Sequence, residues 1–120
     1  MIMDIKECYE KMDADFNDVI NRLSSETIVL RIVKKFVTDT SYKDLKEGLE
    51  NKDAEKAFRG AHTLKGVCLN LGFKQFTPFI QELTEKLRPQ TDECLEGTQD
   101  LFDKVTKIYN QTINALKELD

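Results

Sequence analysis

The sequence has 120 residues, of which 40% are hydrophobic and 33% charged, and its formal net charge is −4. These values are typical of one globular domain with a substantial core. The acidic balance and the lack of a basic stripe with interleaved aromatics argue against nucleic acid as a partner. The apolar runs are too short to span a membrane, and the first residues lack the basic and apolar segments of a signal peptide, so we expect a cytoplasmic protein.

The chain reads as helices throughout. Glycine and proline, which interrupt helices, are scarce, and strand-like alternation of apolar and polar residues never persists. Apolar residues at helical spacing predict a first segment from about Ile5 to Leu23, with a break near Asp13. Ser25 is a suitable N-cap for a second helix that ends near Thr38. The residues that this pattern turns inward are Ile28, Leu30, Ile32, Val33, Phe36 and Val37.

Thr40 and Ser41 predict the start of another helix that continues through Leu49, and Asp53 is a good N-cap for the helix after it. That helix should end near Gly72, because glycine readily takes the left-handed conformation of a C-cap. Its core stripe comprises Ala54, Ala57, Phe58, Ala61, Leu64 and Cys68.

Two prolines limit the next helix, because Pro78 fits only in its first turn and the helix must end before Pro89. A last helix continues to the end of the chain. Its inward residues are Leu101, Phe102, Val105, Ile108, Tyr109, Ile113, Leu116 and Leu119. Amphipathic helices joined by short loops predict an all-α fold, an up-down antiparallel four-helix bundle with additional short N-terminal helices. We expect residues 1–120 to form a single domain.

The three cysteines, Cys8, Cys68 and Cys94, are far apart in the sequence and odd in number. With one histidine, the chain does not supply a usual Cys/His zinc cluster. We therefore expect buried or half-buried thiols in a reducing compartment and no metal site on this chain.

His62 is the only histidine of the chain. Imidazole is the side chain that offers a neutral nucleophile near neutral pH. Spacings of three and four residues place Lys65 and Gly66 on the next helical turn, so a cation lies beside the imidazole and no side chain blocks its approach. Glycine inside a helix costs about 1 kcal/mol relative to alanine, which indicates a packing or access role for Gly66.

On a helical wheel, His62 falls roughly a quarter turn from the centre of the core stripe. The residues near its line are Arg59, Gly66, Leu69 and Phe73. A purely solvated flank would carry Glu and Lys there, so Leu69 and Phe73 indicate an exposed apolar strip that docks a partner. An equally good interpretation is that Leu69 and Phe73 seal the end of this helix against the following helix.

The run His62-Thr63-Leu64-Lys65-Gly66, with Ala61 before it and Asn70-Leu71-Gly72 after it, resembles the motif of histidine-containing phosphotransfer (HPt) domains of bacterial two-component phosphorelays. The helical pattern extends the resemblance over nearly the whole chain. The resemblance implies that Nε2 of His62 accepts a phosphoryl group from a receiver-domain aspartyl-phosphate and passes it to another receiver aspartate. It also implies that Lys65 steadies the phosphoryl oxygens and that Gly66 keeps the approach open.

The same resemblance implies further roles. Gln81, on the neighbouring helix, matches a position where the family often has a polar group near the histidine, and Arg59 adds attraction for the phosphate or the receiver. No cofactor is expected on this chain, because the family's Mg²⁺ is held by the receiver. The expected partners are receiver domains of response regulators or hybrid histidine kinases, and the expected state is a monomer.

Three other functions stay open on the sequence. A non-catalytic helical adaptor would bind receiver or kinase domains without carrying phosphate, although the nucleophile, cation and glycine are all present. A kinase fragment, or an enzyme using His62 as a general base, is disfavoured because no glycine-rich nucleotide loop is present. The domain is also compatible with a role as the substrate of a separate kinase.

Overall fold

A computed structural model describes residues 3–119, so Met1, Ile2 and Asp120 of the predicted 1–120 domain lie outside the described part. The α-helices of this part, numbered in chain order, are α1 (Ile5–Met12), α2 (Phe16–Leu23), α3 (Glu26–Val37), α4 (Ser41–Glu50), α5 (Ala54–Leu71), α6 (Thr77–Leu87) and α7 (Gln99–Leu116). A short 3₁₀ helix, Asp92–Leu95, lies between α6 and α7. Met3 and Leu119 form an isolated bridge. The all-α prediction is confirmed.

Helices α4 to α7 form the four-helix bundle. Helix α4 packs along α5, α5 along α6, and α6 against α7. Tyr42 of α4 completes the bundle by stacking on Tyr109 of α7, with the ring centroids 4.0 Å apart. The N-terminal helices α1 to α3 pack outside it, with α1 against α7, α2 against α5, and α3 against both α5 and α7. None of the helices within residues 3–119 has the length and apolar character needed to cross a membrane.

Local sequence explains most helix boundaries. Four helices begin at a side chain that accepts a backbone N–H bond from the first turn, namely Asp4, Asp15, Ser25 and Asp53. Asp13 takes a left-handed conformation (φ 58°) and separates α1 from α2, as the sequence predicted. Pro78 lies in the first turn of α6, and α6 ends before Pro89, which confirms both proline predictions.

Some details of the predicted helices are wrong. Helix α3 turns Val29 inward and leaves Ile28 38% exposed. Apolar residues lie around most of this helix, so their period does not define which face is buried. Helix α7 ends at Leu116 instead of continuing, and Leu119 beyond it bridges to Met3. The 3₁₀ helix has no buried residue, and no apolar period indicated it.

The core passes through all the helices as one cluster of buried residues. Tyr9 of α1 is fully buried, and its hydroxyl donates a 2.7 Å hydrogen bond to the carbonyl oxygen of Leu71. The N-terminal helices are thereby tied to the carboxyl end of α5, the helix that carries His62.

Candidate functional site

Helix α5 presents His62 to solvent. Its residues Ala57, Ala61, Leu64 and Cys68 are fully buried. His62 lies beside this buried arc and is exposed, in agreement with its position on the helical wheel. The helix therefore holds the imidazole at the edge of the core with its ring accessible to a partner.

Two glycines bring α4 and α5 into direct backbone contact. A Cβ atom on Gly60 would lie 2.5 Å from the Leu45 nitrogen and 2.7 Å from the Ser41 carbonyl oxygen. A Cβ atom on Gly48 would lie 2.4 Å from the Ala57 nitrogen. Real side chains do not approach a backbone this closely, so both positions require glycine. This contact fixes the position of the helix that carries His62.

Gly66 differs from both of these glycines. It is exposed, and a Cβ atom built on it would meet no atom within 4 Å. Helix packing therefore does not explain this glycine. The open space lies on the helical turn next to His62, where the sequence analysis placed the approach of an incoming group.

His62 lines a cavity of about 290 Å³ together with Phe58, Arg59, Thr63 and Arg88. The ring centroids of Phe58 and His62 are 5.5 Å apart. The guanidinium carbon of Arg88 lies over the Phe58 ring, 5.3 Å from its centroid, which is within cation–π range. The cavity thus contains one predicted arginine, Arg59, and one that the sequence did not indicate, Arg88.

Arg88 follows directly after α6 and is paired with Glu85. Its Nε and Nη2 atoms donate to the two carboxylate oxygens of Glu85 at 2.9 and 2.8 Å. The hydrogen bond from Arg88, followed by the positive charges of Arg88 and Lys65, lowers the pKa of the Glu85 carboxyl. The Glu85 carboxylate is thus the hydrogen-bonding partner of Arg88 at this cavity.

Lys65 and Gln81 differ in where they lie, and the roles predicted for both stay predictions. Lys65 is half-buried on α5, one turn after His62, and its positive charge contributes to the lowered pKa of the Glu85 carboxyl. Gln81 is exposed on α6 and is not among the residues that line the cavity at His62, so its role stays a prediction. Glu85 and Arg88 follow Gln81 at spacings of four and seven residues, on the same helix face. This helical spacing was the only sequence signal that could have indicated Glu85 and Arg88. It does not show which turn of α6 lies beside His62 in the folded protein.

The predicted exposed strip of Leu69 and Phe73 is only half present. Leu69 is 46% exposed, but Phe73 is fully buried between Tyr9 and Phe36, at ring-centroid distances of 5.8 and 5.7 Å. The helical wheel does not extend to Phe73, because Gly72 takes a left-handed conformation (φ 69°) and ends the helix. The alternative interpretation, that Phe73 seals the helix end, is the correct one for this residue, and Leu69 alone stays a candidate for docking.

Among residues 3–119, no three His, Cys, Asp or Glu side chains come together as a potential metal site. Cys8 and Cys68 are buried and Cys94 is half-buried, as the sequence predicted.

An α-helical bundle that presents one exposed histidine beside several cations has the form of a phosphotransfer domain. The family model of the Hpt domain matches residues 37–119. The chain therefore belongs to the Hpt-domain family, which carries out histidine phosphotransfer in phosphorelays and interacts with receiver domains. The matched segment includes all of α4 to α7, and with them His62. No curated protein and no solved structure gives a significant match.

Proposed function

We propose that this chain is a phosphorelay intermediate that carries the phosphoryl group on His62. In this proposal, His62 accepts the group from the aspartyl-phosphate of one receiver domain and passes it to the aspartate of another. The observation that supports this best is the position of the sole histidine, exposed on α5 in a cavity that also contains Arg59 and Arg88.

The transfer needs little chemistry from this chain. The lone pair of Nε2 on neutral His62 attacks phosphorus, the bond from phosphorus to the aspartate oxygen breaks, and its electron pair remains with the carboxylate. The proton on Nδ1 stays in place, and the second transfer is the same exchange in reverse. Phosphoryl transfer depends mainly on positioning and on stabilisation of the spread negative charge. An exposed imidazole with arginine and lysine side chains beside it suits both requirements.

The surroundings of His62 suit an incoming receiver. Arg59 and Lys65 supply positive charge on the turns before and after the histidine, where the phosphoryl oxygens would lie. The open space above Gly66 leaves room for the aspartyl-phosphate. Mg²⁺ would be supplied by the receiver, and Leu69 offers an exposed apolar contact beside the site.

Labelling with a charged receiver tests this proposal. A receiver domain phosphorylated with radiolabelled acetyl phosphate is mixed with the full chain, and the label on the chain is followed over time. We expect a label that is labile in acid and stable in base, as is characteristic of phosphohistidine. Since His62 is the only histidine, His62→Gln should abolish the label. Circular dichroism should be unchanged, because the side chain is exposed.

Two results would overturn the proposal. Label that persists in the His62→Gln variant would place the phosphoryl group on another residue. A chain that binds charged receivers equally well with and without His62, and never becomes labelled, would be an adaptor. Incubation with ATP alone should leave the protein unlabelled, and labelling there would indicate a kinase.

A further inference from the structure

We infer that Arg88 is an exchangeable phosphoryl ligand, which pairs with Glu85 in the unphosphorylated protein and turns to the phosphoryl oxygens when His62 carries phosphate. This inference rests on the proposed function. In this inference Arg88, at the end of α6, joins the cations of α5 as a ligand of the phosphoryl group. Glu85 competes with the phosphoryl group for the Arg88 guanidinium and so limits how tightly that group is held.

The geometry places Arg88 within reach of the site. Arg88 and His62 line the same cavity, and both lie close to Phe58: the guanidinium carbon is 5.3 Å from the Phe58 ring centroid, and the His62 ring centroid is 5.5 Å from it. The half-buried Phe58 ring gives the guanidinium a flat surface to move across while it keeps its cation–π contact. Rotation of the long arginine side chain therefore brings the charge toward His62 without a change in the backbone.

The present partner of Arg88 holds it weakly. The side chains of Arg88 and Glu85 are 48% and 57% exposed, and such pairs contribute little because water screens them. A phosphoryl group offers nearly two negative charges and three acceptor oxygens, and it suits the planar fork of a guanidinium. The exchange should therefore occur once the phosphoryl group arrives.

Glu85 opposes this exchange. Its carboxylate accepts two hydrogen bonds from Arg88, at 2.9 and 2.8 Å. Removal of this negative charge should free Arg88 for the phosphoryl group. The two members of the pair therefore have opposite expected effects on phosphorylated His62, which a purely structural ion pair would not produce.

The test measures the equilibrium distribution of label between one receiver and the full chain. Arg88→Gln should shift the equilibrium toward the receiver by roughly three- to tenfold, as expected for the loss of a partly screened charged hydrogen bond. Glu85→Gln should shift it toward His62 by about twofold or more. Lys86→Gln is the charge-matched control, because Lys86 is exposed on the same helix beside Gly97 and does not line the cavity. It should leave the distribution within about twofold of the wild type.

Two further variants separate phosphate binding from structure. Arg88→Lys keeps the charge and should recover part of the effect of Arg88→Gln. Glu85→Gln in an Arg88→Gln background should lose most of its effect, because the side chain that it frees is absent. The inference is overturned if Arg88→Gln matches the wild type, or if Glu85→Gln has the same effect in both backgrounds. In those cases His62 of the wild type is still labelled, whereas failure of the proposed function would leave it unlabelled.

Discussion

Replacement of Gly66 by alanine tests whether this glycine is kept for access to His62. The added Cβ meets no atom within 4 Å, and the backbone at Gly66 is that of an ordinary helix. The only energetic change is then helix propensity, and alanine is about 1 kcal/mol better than glycine in a helix interior. We therefore expect Gly66→Ala to stabilise the protein by about 1 kcal/mol, which raises Tm by about 4 °C in a domain of this size.

Urea unfolding followed by circular dichroism at 222 nm measures this change, and Gly60→Ala is the matched control on the same helix. A Cβ atom on Gly60 would lie 2.5 Å from the Leu45 nitrogen, so α4 and α5 must separate. Overpacking of this kind outweighs the gain in helix propensity, and we expect a net loss of about 2 kcal/mol or more. The two substitutions should thus change stability in opposite directions.

A larger substitution tests the access role itself. Gly66→Gln places a long side chain on the turn next to His62, and we expect slower labelling by a charged receiver without a loss of stability relative to the wild type. The reasoning is refuted if Gly66→Ala destabilises the protein as Gly60→Ala does, since the space would then not be open. It is also refuted if Gly66→Gln accepts phosphate as fast as the wild type.

Two further predictions concern burial. Phe73→Ala should cost about 3–5 kcal/mol of unfolding free energy in urea, whereas Leu69→Ala should change it by less than about 0.5 kcal/mol and weaken receiver binding measured by calorimetry. Equal stability of the two variants would contradict the burial of Phe73. Native protein treated with Ellman's reagent at pH 8 should react at Cys94 alone, because Cys8 and Cys68 are buried and burial raises the pKa of the Cys8 thiol to about 11. Rapid reaction of all three thiols would contradict this prediction.

The local features of this protein could be predicted because they depend on neighbours in the chain. Caps such as Asp53, the break at Asp13 and the limits set by the prolines act within a few residues, so the sequence was sufficient for them. The relation of His62, Lys65 and Gly66 is also local, because all three lie within two turns of one helix. For the same reason the family motif could be recognised before the fold was known.

The structure decided what depends on how helices meet. Three glycines lie within predicted helices, but only tertiary contacts show that Gly48 and Gly60 are required for packing while Gly66 faces open space. Phe73 is buried because the chain turns at Gly72 and enters the core, a change of direction that a helical wheel does not include.

At the site around His62, too, the sequence determined some features and the tertiary structure decided others. The sequence determined that a histidine, a lysine and a glycine share one edge of α5, because a helix repeats every 3.6 residues whatever surrounds it. Only the tertiary structure decided that Arg88, and not Gln81, reaches the cavity from the neighbouring helix. The register between two packed helices is set by their side-chain contacts and by the turn that joins them, and neither is determined by the period of one helix alone.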